Sequence, residues 1–190
     1  MKLKQTALAT LLLVTASGAT LAADYYVGAS VGQADYRIDT TGATNADTKD
    51  TAGKVFGGMM FTPNFGVEAS LFDLGEARGS LTVPGVGLAT STGKVRGVGL
   101  YGVAAMPLGS FSVFGKIGGT YARAKTSASG GFGSFSETES SFQPAAGIGA
   151  SYAINANLGV RAEFERMRIK FAGDEKDDIN LTTVGLTYRF

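Results

Sequence analysis

Three features of this 190-residue chain predict an all-β fold, an eight-stranded antiparallel transmembrane β-barrel. Apolar and polar residues alternate with period two in eight segments, which is the side-chain alternation of β-strands. The connections between these segments alternate between long and short. One face of the segments is apolar and the other carries charged and small residues, which indicates that the apolar face contacts lipid.

The first 22 residues have the composition of a secretory signal peptide. Lys2 and Lys4 give a positive start, residues 7–14 form a short apolar stretch, and Thr20-Leu21-Ala22 forms a cleavage site. The apolar stretch is shorter than the ~20 residues that a membrane-spanning helix needs. We therefore predict a cleaved signal peptide over residues 1–22 and a mature barrel over residues 23–190.

The predicted strands and connections follow one another in a regular cycle. The strand segments are YYVGASVG, KVFGGMMF, FGVEASL, GVGLYGVAAM, FSVFGKIGGTY, PAAGIGASYAI, LGVRAEF and LTTVGLTYRF. Long connections are predicted at 34–51, 74–93, 125–139 and 171–178, and short ones at 62–64, 107–110 and 155–157. Even strand numbers with long extracellular loops and short periplasmic turns are typical of barrels in the bacterial outer membrane.

The composition excludes several classes of function. Seventeen basic and sixteen acidic residues leave a net charge of +1, which gives no field to attract nucleic acid. The chain has no Cys and no His, the usual thiol nucleophile, general base and metal ligands. The acidic run Asp174, Glu175, Asp177 and Asp178 lacks the spacing of a calcium loop and is interpreted as a solvated loop. We expect no enzyme activity, no cofactor and no metal.

Four charged residues in the middle of strands are expected to face the interior. A charge on the lipid-facing side near the membrane midplane costs ~2–4 kcal/mol. Glu68, Lys116, Arg161 and Glu163 all share the parity of the non-apolar face. Many other residues of this face are small, which suits the narrow interior of an eight-stranded barrel.

The apolar face has distinct borders at its two ends. Aromatic residues lie beside the short turns, as expected of an interfacial girdle: Tyr25, Phe61, Phe65, Phe111, Tyr152, Tyr188 and Phe190. About nine residues further along the strands, a climb of ~23 Å, the same face becomes basic. This basic rim comprises Lys94, Arg96, Arg123, Lys125, Arg166, Arg168 and Lys170.

The basic rim is predicted to lie just above the hydrocarbon. In an outer membrane this level holds the phosphates of lipopolysaccharide, which Arg and Lys bind through charge-assisted hydrogen bonds. Snorkelling side chains that mark an interface without any lipid preference are the alternative.

The motifs together resemble the membrane domain of the outer membrane protein A (OmpA) family, over essentially the whole mature chain. They are GKVFGGMMFTPNFGVEASLFDLG, GVGLYGVAAMPLG followed by FSVFGKIGGTYARA, SYAINANLGVRAEFE and DINLTTVGLTYRF. The resemblance implies that the barrel-assembly machinery recognises the ending Gly185-x-x-Tyr188-x-Phe190. Longer family members continue into a peptidoglycan-binding domain, whereas this sequence stops at Phe190, so we expect no cell-wall tether.

The resemblance also implies that an inward charge cluster plugs or gates the lumen. Glu68, Lys116, Arg161 and Glu163 occupy matching strand positions. Where the family places a further Lys and a further Glu, this sequence has Val103 and Ser151. The gating scheme of the family is therefore expected to be altered here.

Two functions agree with these features. The first is a structural protein that stabilises the envelope and has at most a narrow small-solute pore, with outer-membrane lipid and lipopolysaccharide as partners. The second is a surface adhesin or receptor whose loops contact a host surface, a phage or a matrix. The loops are rich in Thr, Ser, Gly and Asp and have few of the aromatic and Arg anchors of binding hot spots. This composition favours the structural function.

Overall fold

The computed structural model describes residues 24–36, 45–47, 49–83, 87–130, 133–170 and 176–190. These residues form nine strands: β1 (Asp24–Tyr36), β2 (Asn45–Asp47), β3 (Lys49–Met60), β4 (Phe65–Val83), β5 (Gly87–Leu108), β6 (Phe111–Gly130), β7 (Gly133–Ala153), β8 (Leu158–Lys170) and β9 (Lys176–Arg189). Among them there is no helix with the length and apolar character required to span a membrane.

Eight of the strands close into an antiparallel barrel. Each pairs with its neighbours in the order β4-β3-β1-β9-β8-β7-β6-β5, and the β4–β5 pairing closes the ring. Following the paired residues once around the ring from Arg96 on β5 leads back to Met106 on β5. The stagger of the barrel is therefore ten residues. This stagger tilts the strands and leaves an interior that side chains can fill. The eight-stranded barrel predicted from the sequence is confirmed.

Tight connections join the strands at one end of the barrel. Residues 61–64, 109–110 and 154–157 connect β3 to β4, β5 to β6 and β7 to β8. Gly109 takes a positive φ of 69°, which a two-residue turn requires and Gly adopts without strain. The side chain of Asn155 accepts hydrogen bonds from the backbone N–H groups of Asn157 and Leu158, at 2.9 and 2.7 Å. Local side-chain bonds thus replace the missing ladder partners.

At the opposite end, two of the predicted long loops are wrong. Segments 74–93 and 125–139 consist largely of strand, because the β4–β5 ladder continues to Val83↔Gly87 and the β6–β7 ladder to Gly130↔Gly133. The predicted loop 34–51 is also shorter, since it contains the end of β1, the start of β3 and all of β2. Both faces of these strands lie outside the lipid, so the alternation that reveals a strand is lost while the backbone pairing persists.

The longest strands therefore rise above the rest of the barrel on one side. We call residues 76–83, 87–94, 125–130 and 133–144 the extension; these belong to β4, β5, β6 and β7. A β-bulge between Asp73 and Glu76 marks its base in β4. Gly75 in this bulge has a φ of 76°, and the carboxylate of Asp50 accepts a hydrogen bond of 2.5 Å from the backbone N–H of Glu76. The extra residue increases the local twist of the strand.

Candidate functional site

The middle of the lumen holds three cations and three carboxylates, all of them buried. We call this group the charge network; its members are Lys54, Glu68, Lys116, Arg161, Glu163 and Glu165. They project inward from β3, β4, β6 and β8 and carry no net charge together. Burying six charges is stabilising only when each is paired and hydrogen-bonded, so the contacts of each group decide what the network does.

Glu163 lies at the centre of the charge network. One of its carboxylate oxygens pairs with the Nζ of Lys54 at 2.6 Å and also with the Nζ of Lys116. The other accepts a hydrogen bond from Arg161 Nε at 2.9 Å and lies 2.7 Å from Arg161 Nη2. Glu163 therefore joins all three cations of the network.

The remaining carboxylates complete the pairing from two sides. Glu68 accepts from Arg161 Nη1 at 2.6 Å, from Lys116 Nζ at 3.1 Å and from the hydroxyl of Tyr26 at 2.9 Å. Glu165 pairs with Lys54 Nζ at 2.7 Å and with Lys116 Nζ at 3.2 Å. Side chains from five strands are thus bonded to one another across the lumen.

The guanidinium of Arg161 is also enclosed by two aromatic rings. Its Cζ lies 4.5 Å from the ring centre of Phe56 and 4.1 Å from that of Phe114, within the range of cation–π contacts. Gly28 and Gly149 leave space for these rings, because a Cβ at either position would collide with one of them. The small inward residues seen in the sequence therefore make room for the groups that hold Arg161.

An apolar layer fills the lumen on the extracellular side of the charge network. It consists of Ala34, Ala52, Phe72, Leu74, Val95, Tyr101, Ala122, Ala124, Ala145, Met167, Ile179 and Leu181, all buried. The ring of Tyr101 joins the two layers, since Lys116 Nζ lies 4.2 Å from its centre. The expectation of a polar, small-residue interior holds for the lower lumen and is wrong for this upper part, where packed apolar side chains take the inward positions.

On the periplasmic side of Arg161 the lumen widens into a vestibule of about 210 Å³. Its walls include Tyr26, Val103, Ser151 and Arg189. Val103 and Ser151 are the two positions at which the resemblance to the OmpA family implies a Lys and a Glu instead. The two short side chains leave this space open below the charge network.

The outer surface of the barrel is apolar at the level of the charge network. Ile117 is 73% exposed and lies on β6 midway between Phe111 at the turn end and Arg123 at the basic rim. The aromatic side chains of the predicted girdle are all exposed beside the short turns. Such a band with an aromatic border is the lipid-facing surface of a membrane barrel.

The residues of the predicted assembly signal lie at the seam between β9 and β1. The backbone N–H of Phe190 donates to the carbonyl of Tyr25 at 3.0 Å, and the Phe190 ring packs edge-on against Tyr188 at 5.2 Å. Gly185 faces the interior, where a Cβ would collide with the backbone of Ala29 and Ser30. Recognition of these residues by the assembly machinery stays a prediction.

The structure divides the basic rim into two groups. On β5 and β6, Lys94 lies opposite Lys125 and Arg96 opposite Arg123. Among these four, Arg96 pairs with Asp73 at 2.6 Å. All four reach the surface, with Lys94 half-buried and the others exposed.

The second group of the rim lies on β8. Arg166 and Arg168 are exposed and share Asp178 on β9, at 3.5 and 3.1 Å. The side chain of Lys170 lies outside the described residues. Asp178 belongs to the acidic run interpreted as a solvated loop, of which Asp174, Glu175 and the side chain of Asp177 also lie outside the described residues.

Sequence reasoning missed two members of the charge network, Lys54 and Glu165. Both share the parity of the inward face, with Phe56 on β3 and with Glu163 on β8. Parity assigns a side chain to a face, but its height in the lumen depends on the register of all eight strands. The signal that could have found them is a charge at an inward-facing strand position, and Glu165 also lies two residues from Glu163 on the same face.

The comparisons agree with a membrane barrel. The model of the outer membrane protein beta-barrel domain family matches residues 6–190, and the chain belongs to this family. No curated protein matches the sequence. The localisation that follows from the family is the bacterial outer membrane.

Solved structures of other outer-membrane barrels have the same fold. The attachment invasion locus protein Ail of Yersinia pestis, solved with the heparin analogue sucrose octasulfate, is 20% identical, with 88% of this chain and 99% of that chain covered and a TM-score of 0.59. Neisserial surface protein A is 13% identical, with 87% and 97% covered and a TM-score of 0.61. OprG of Pseudomonas aeruginosa is 16% identical, with 88% and 95% covered and a TM-score of 0.51. These likenesses establish the fold alone.

Proposed function

We propose that this protein is a structural, non-catalytic component of the outer membrane that stabilises the envelope, with a lumen closed to solutes. The observation that supports this function is the double closure of the lumen. A neutral charge network joins the strands at mid-height, and a packed apolar layer lies above it. An ion that enters from the periplasmic vestibule meets paired charges first and then a dry constriction, which excludes it by the cost of dehydration.

The basic rim supports binding of the protein to the lipid of the outer leaflet. Its exposed cations lie above the apolar band, at the level of the lipopolysaccharide phosphates, and Arg binds phosphate through two parallel hydrogen bonds. Lys94, Arg96, Arg123 and Lys125 form a compact group in which Asp73 supplies an acidic partner to Arg96. We include lipopolysaccharide binding by this rim in the proposal, because anchoring to that lipid lets a closed barrel stabilise the leaflet.

A second candidate function is a surface adhesin or receptor. The specific observation in its favour is the extension, whose four strands begin at the level of Lys94 and Lys125 and have a largely polar sequence. Ail, which shares the fold, is described in complex with a heparin analogue. In this alternative, a host surface, a phage or a matrix component contacts the extension.

One complementation experiment separates the two functions. A Gram-negative strain without the gene is expected to leak periplasmic enzyme and to become sensitive to detergent. The wild-type protein and a version with shortened β4–β5 and β6–β7 hairpins, ending near Arg78, Thr92, Ser127 and Ser136 so that Lys94 and Lys125 are kept, should both restore the barrier. The triple variant Arg123→Gln, Arg166→Gln, Arg168→Gln should restore it only in part, since it keeps the barrel and loses three of the seven rim cations.

Stability measurements identify the lipid involved. The triple variant should lose thermal stability in bilayers that contain lipopolysaccharide and keep it in plain phospholipid bilayers. Equal losses of thermal stability in both bilayers would mean that the rim lies at the membrane interface without any preference for lipopolysaccharide. An intact barrier in the strain without the gene, together with lost adhesion of cells that carry the shortened version, would favour the adhesin over the structural role.

A further inference from the structure

The periplasmic vestibule meets the charge network at a single residue. Of the six members of the network, all of which the structure describes, only Arg161 lines the vestibule. Glu163 follows Arg161 by two residues on β8, a strand that runs away from the short turns, so its carboxylate lies one inward position further from the vestibule. A network that is neutral as a whole therefore presents a cation to this space.

The guanidinium of Arg161 has donors that the network does not use. Nε donates to Glu163 at 2.9 Å and Nη1 donates to Glu68 at 2.6 Å. Nη2 is buried and lies 2.7 Å from Glu163, but it has no hydrogen-bond acceptor within the described part of the chain. Because a guanidinium carries five N–H groups, capacity remains for a further acceptor at the roof of the vestibule.

The wall of the vestibule is divided into a polar and an apolar half. The neighbouring strands β6, β7, β8 and β9 contribute polar inward residues: Ser112, Ser151, Arg161 and Arg189. Ser112 and Ser151 lie directly opposite each other in the β6–β7 register. In the ring of eight strands, β5 lies opposite β9, and its inward residues at this level are Val103 and Ala105. A ligand in the vestibule therefore contacts hydroxyl and guanidinium groups on one side and hydrocarbon on the other.

The charge and the size of the vestibule select its ligand. Among the described residues, Arg161 and Arg189 are the cations that line it, and Asp24 at the turn end of β1 is the anion. One carboxylate accepts hydrogen bonds from hydroxyl groups while it faces the two guanidinium groups, and such charge-assisted bonds are the strong ones. A second negative charge on the ligand would be repelled by Asp24. The volume of about 210 Å³ is below that of sites for drug-sized ligands, which limits the ligand to a small molecule.

We propose that the periplasmic vestibule binds a small monocarboxylate, with its carboxylate beside Ser112, Ser151 and Arg161 and its apolar part against Val103 and Ala105. The ligand enters from the periplasm and does not pass through, because the charge network and the apolar layer close the lumen above it. The inference is independent of the envelope role, which uses the outer surface of the barrel.

The test uses benzoate as the probe and benzamide as its neutral analogue of the same shape. The full barrel, with ¹³C-labelled valine methyl groups, is held in nanodiscs of zwitterionic lipid. Benzoate should shift the methyl resonances of Val103 in a saturable manner, with a dissociation constant on the order of 1 mM. The resonances of Val98, which faces the lipid, should stay unchanged. Benzamide should bind about tenfold more weakly, because it lacks the charge that the guanidinium groups attract.

Substitutions in the wall locate the ligand. Ala105→Phe fills the apolar half and should abolish the shift of Val103. Ala104→Phe is the matched control, since the neighbouring side chain is exposed on the lipid-facing side, and it should bind benzoate like the wild type. The double variant Ser112→Ala, Ser151→Ala keeps the cavity and should weaken the binding of benzoate about tenfold. The heat-modifiable gel shift checks the folding of each variant, and Ser151→Phe fills the vestibule from the polar half should Ala105→Phe fail to fold.

Four results would overturn the proposal. They are the absence of a saturable Val103 shift at ten times the expected dissociation constant, equal affinities for benzoate and benzamide, wild-type affinity in a folded variant with Phe at either filled position, and wild-type affinity of the double serine variant. Displacement of benzoate by an equal concentration of inorganic phosphate would show a general oxyanion site and overturn the assignment to carboxylates.

Discussion

Replacing Glu68 by Gln is expected to lower the free energy of unfolding by about 3–5 kcal/mol, the usual cost of breaking a buried ion pair. Gln keeps the shape of the side chain and removes its charge, which leaves Arg161 and Lys116 short of one carboxylate in the closed lumen. Equilibrium unfolding by urea in lipid vesicles measures the loss. Replacing Lys54 and Glu165 together should lower the free energy of unfolding less than replacing either alone, because the loss of both leaves the network with no net charge.

The exposed pair of Arg96 and Asp73 is the matched control. Its separation of 2.6 Å equals that of the Arg161–Glu68 contact, but its side chains are 63% and 42% exposed. Asp73→Asn should therefore cost no more than ~1 kcal/mol. Similar losses at Glu68 and Asp73 would mean that the charge network contributes no more than a surface pair.

Placing Arg at Ile117 is expected to destabilise the membrane-inserted barrel by ~2–4 kcal/mol, since this position lies at mid-height of the lipid-facing band. The side chain of Ile117 points outward, and its cross-strand partners, Gly102 and Ala146, have no group that could pair with a cation. The yield of heat-resistant folded protein in vesicles, followed by urea unfolding, measures the effect.

Gln33 provides the control for depth. It is exposed on β1, two residues beyond outward-facing Val31 toward the extracellular end. Gln33→Arg should cost only ~0–1 kcal/mol, as expected near the interface. Thr120 is a poor control, because its side chain is fully buried and a large residue there would overpack the interior. Equal losses for Ile117→Arg and Gln33→Arg would contradict the position of the apolar band.

Parity along the strands was sufficient to predict the barrel and the direction of its mid-strand charges. A shift of one residue would turn every side chain of a strand to the other face, so the apolar outside fixes which residues face inward. Glu163 could be assigned in this way from LGVRAEF alone. The contacts between strands could not be assigned in this way. Lys54 and Glu163 come to the same height only because of the stagger of ten residues, which depends on the register of all the strands in the ring.

The apolar layer escaped prediction for a different reason. Within the lipid, apolar side chains point outward and polar ones inward, whereas above it this order is reversed. Met167 stands between Arg166 and Arg168, and Ile179 between Asp178 and Asn180, so both stretches have the composition of a polar loop. In the structure the cations point out to the rim and Met167 points into the lumen. At the membrane surface the apolar residues change from the outward face of the strands to the inward face. A search for outward apolar residues does not detect this change.

Single-channel recording of the wild-type barrel in a planar bilayer tests the closed lumen most directly. The charge network and the apolar layer together predict a current equal to that of the protein-free bilayer, with folded protein verified in the same membrane. Arg161→Ala should leave the bilayer closed as well, because the apolar layer above the network is intact. A steady stepwise conductance of the wild-type protein would contradict the closed lumen and, with it, a purely structural role.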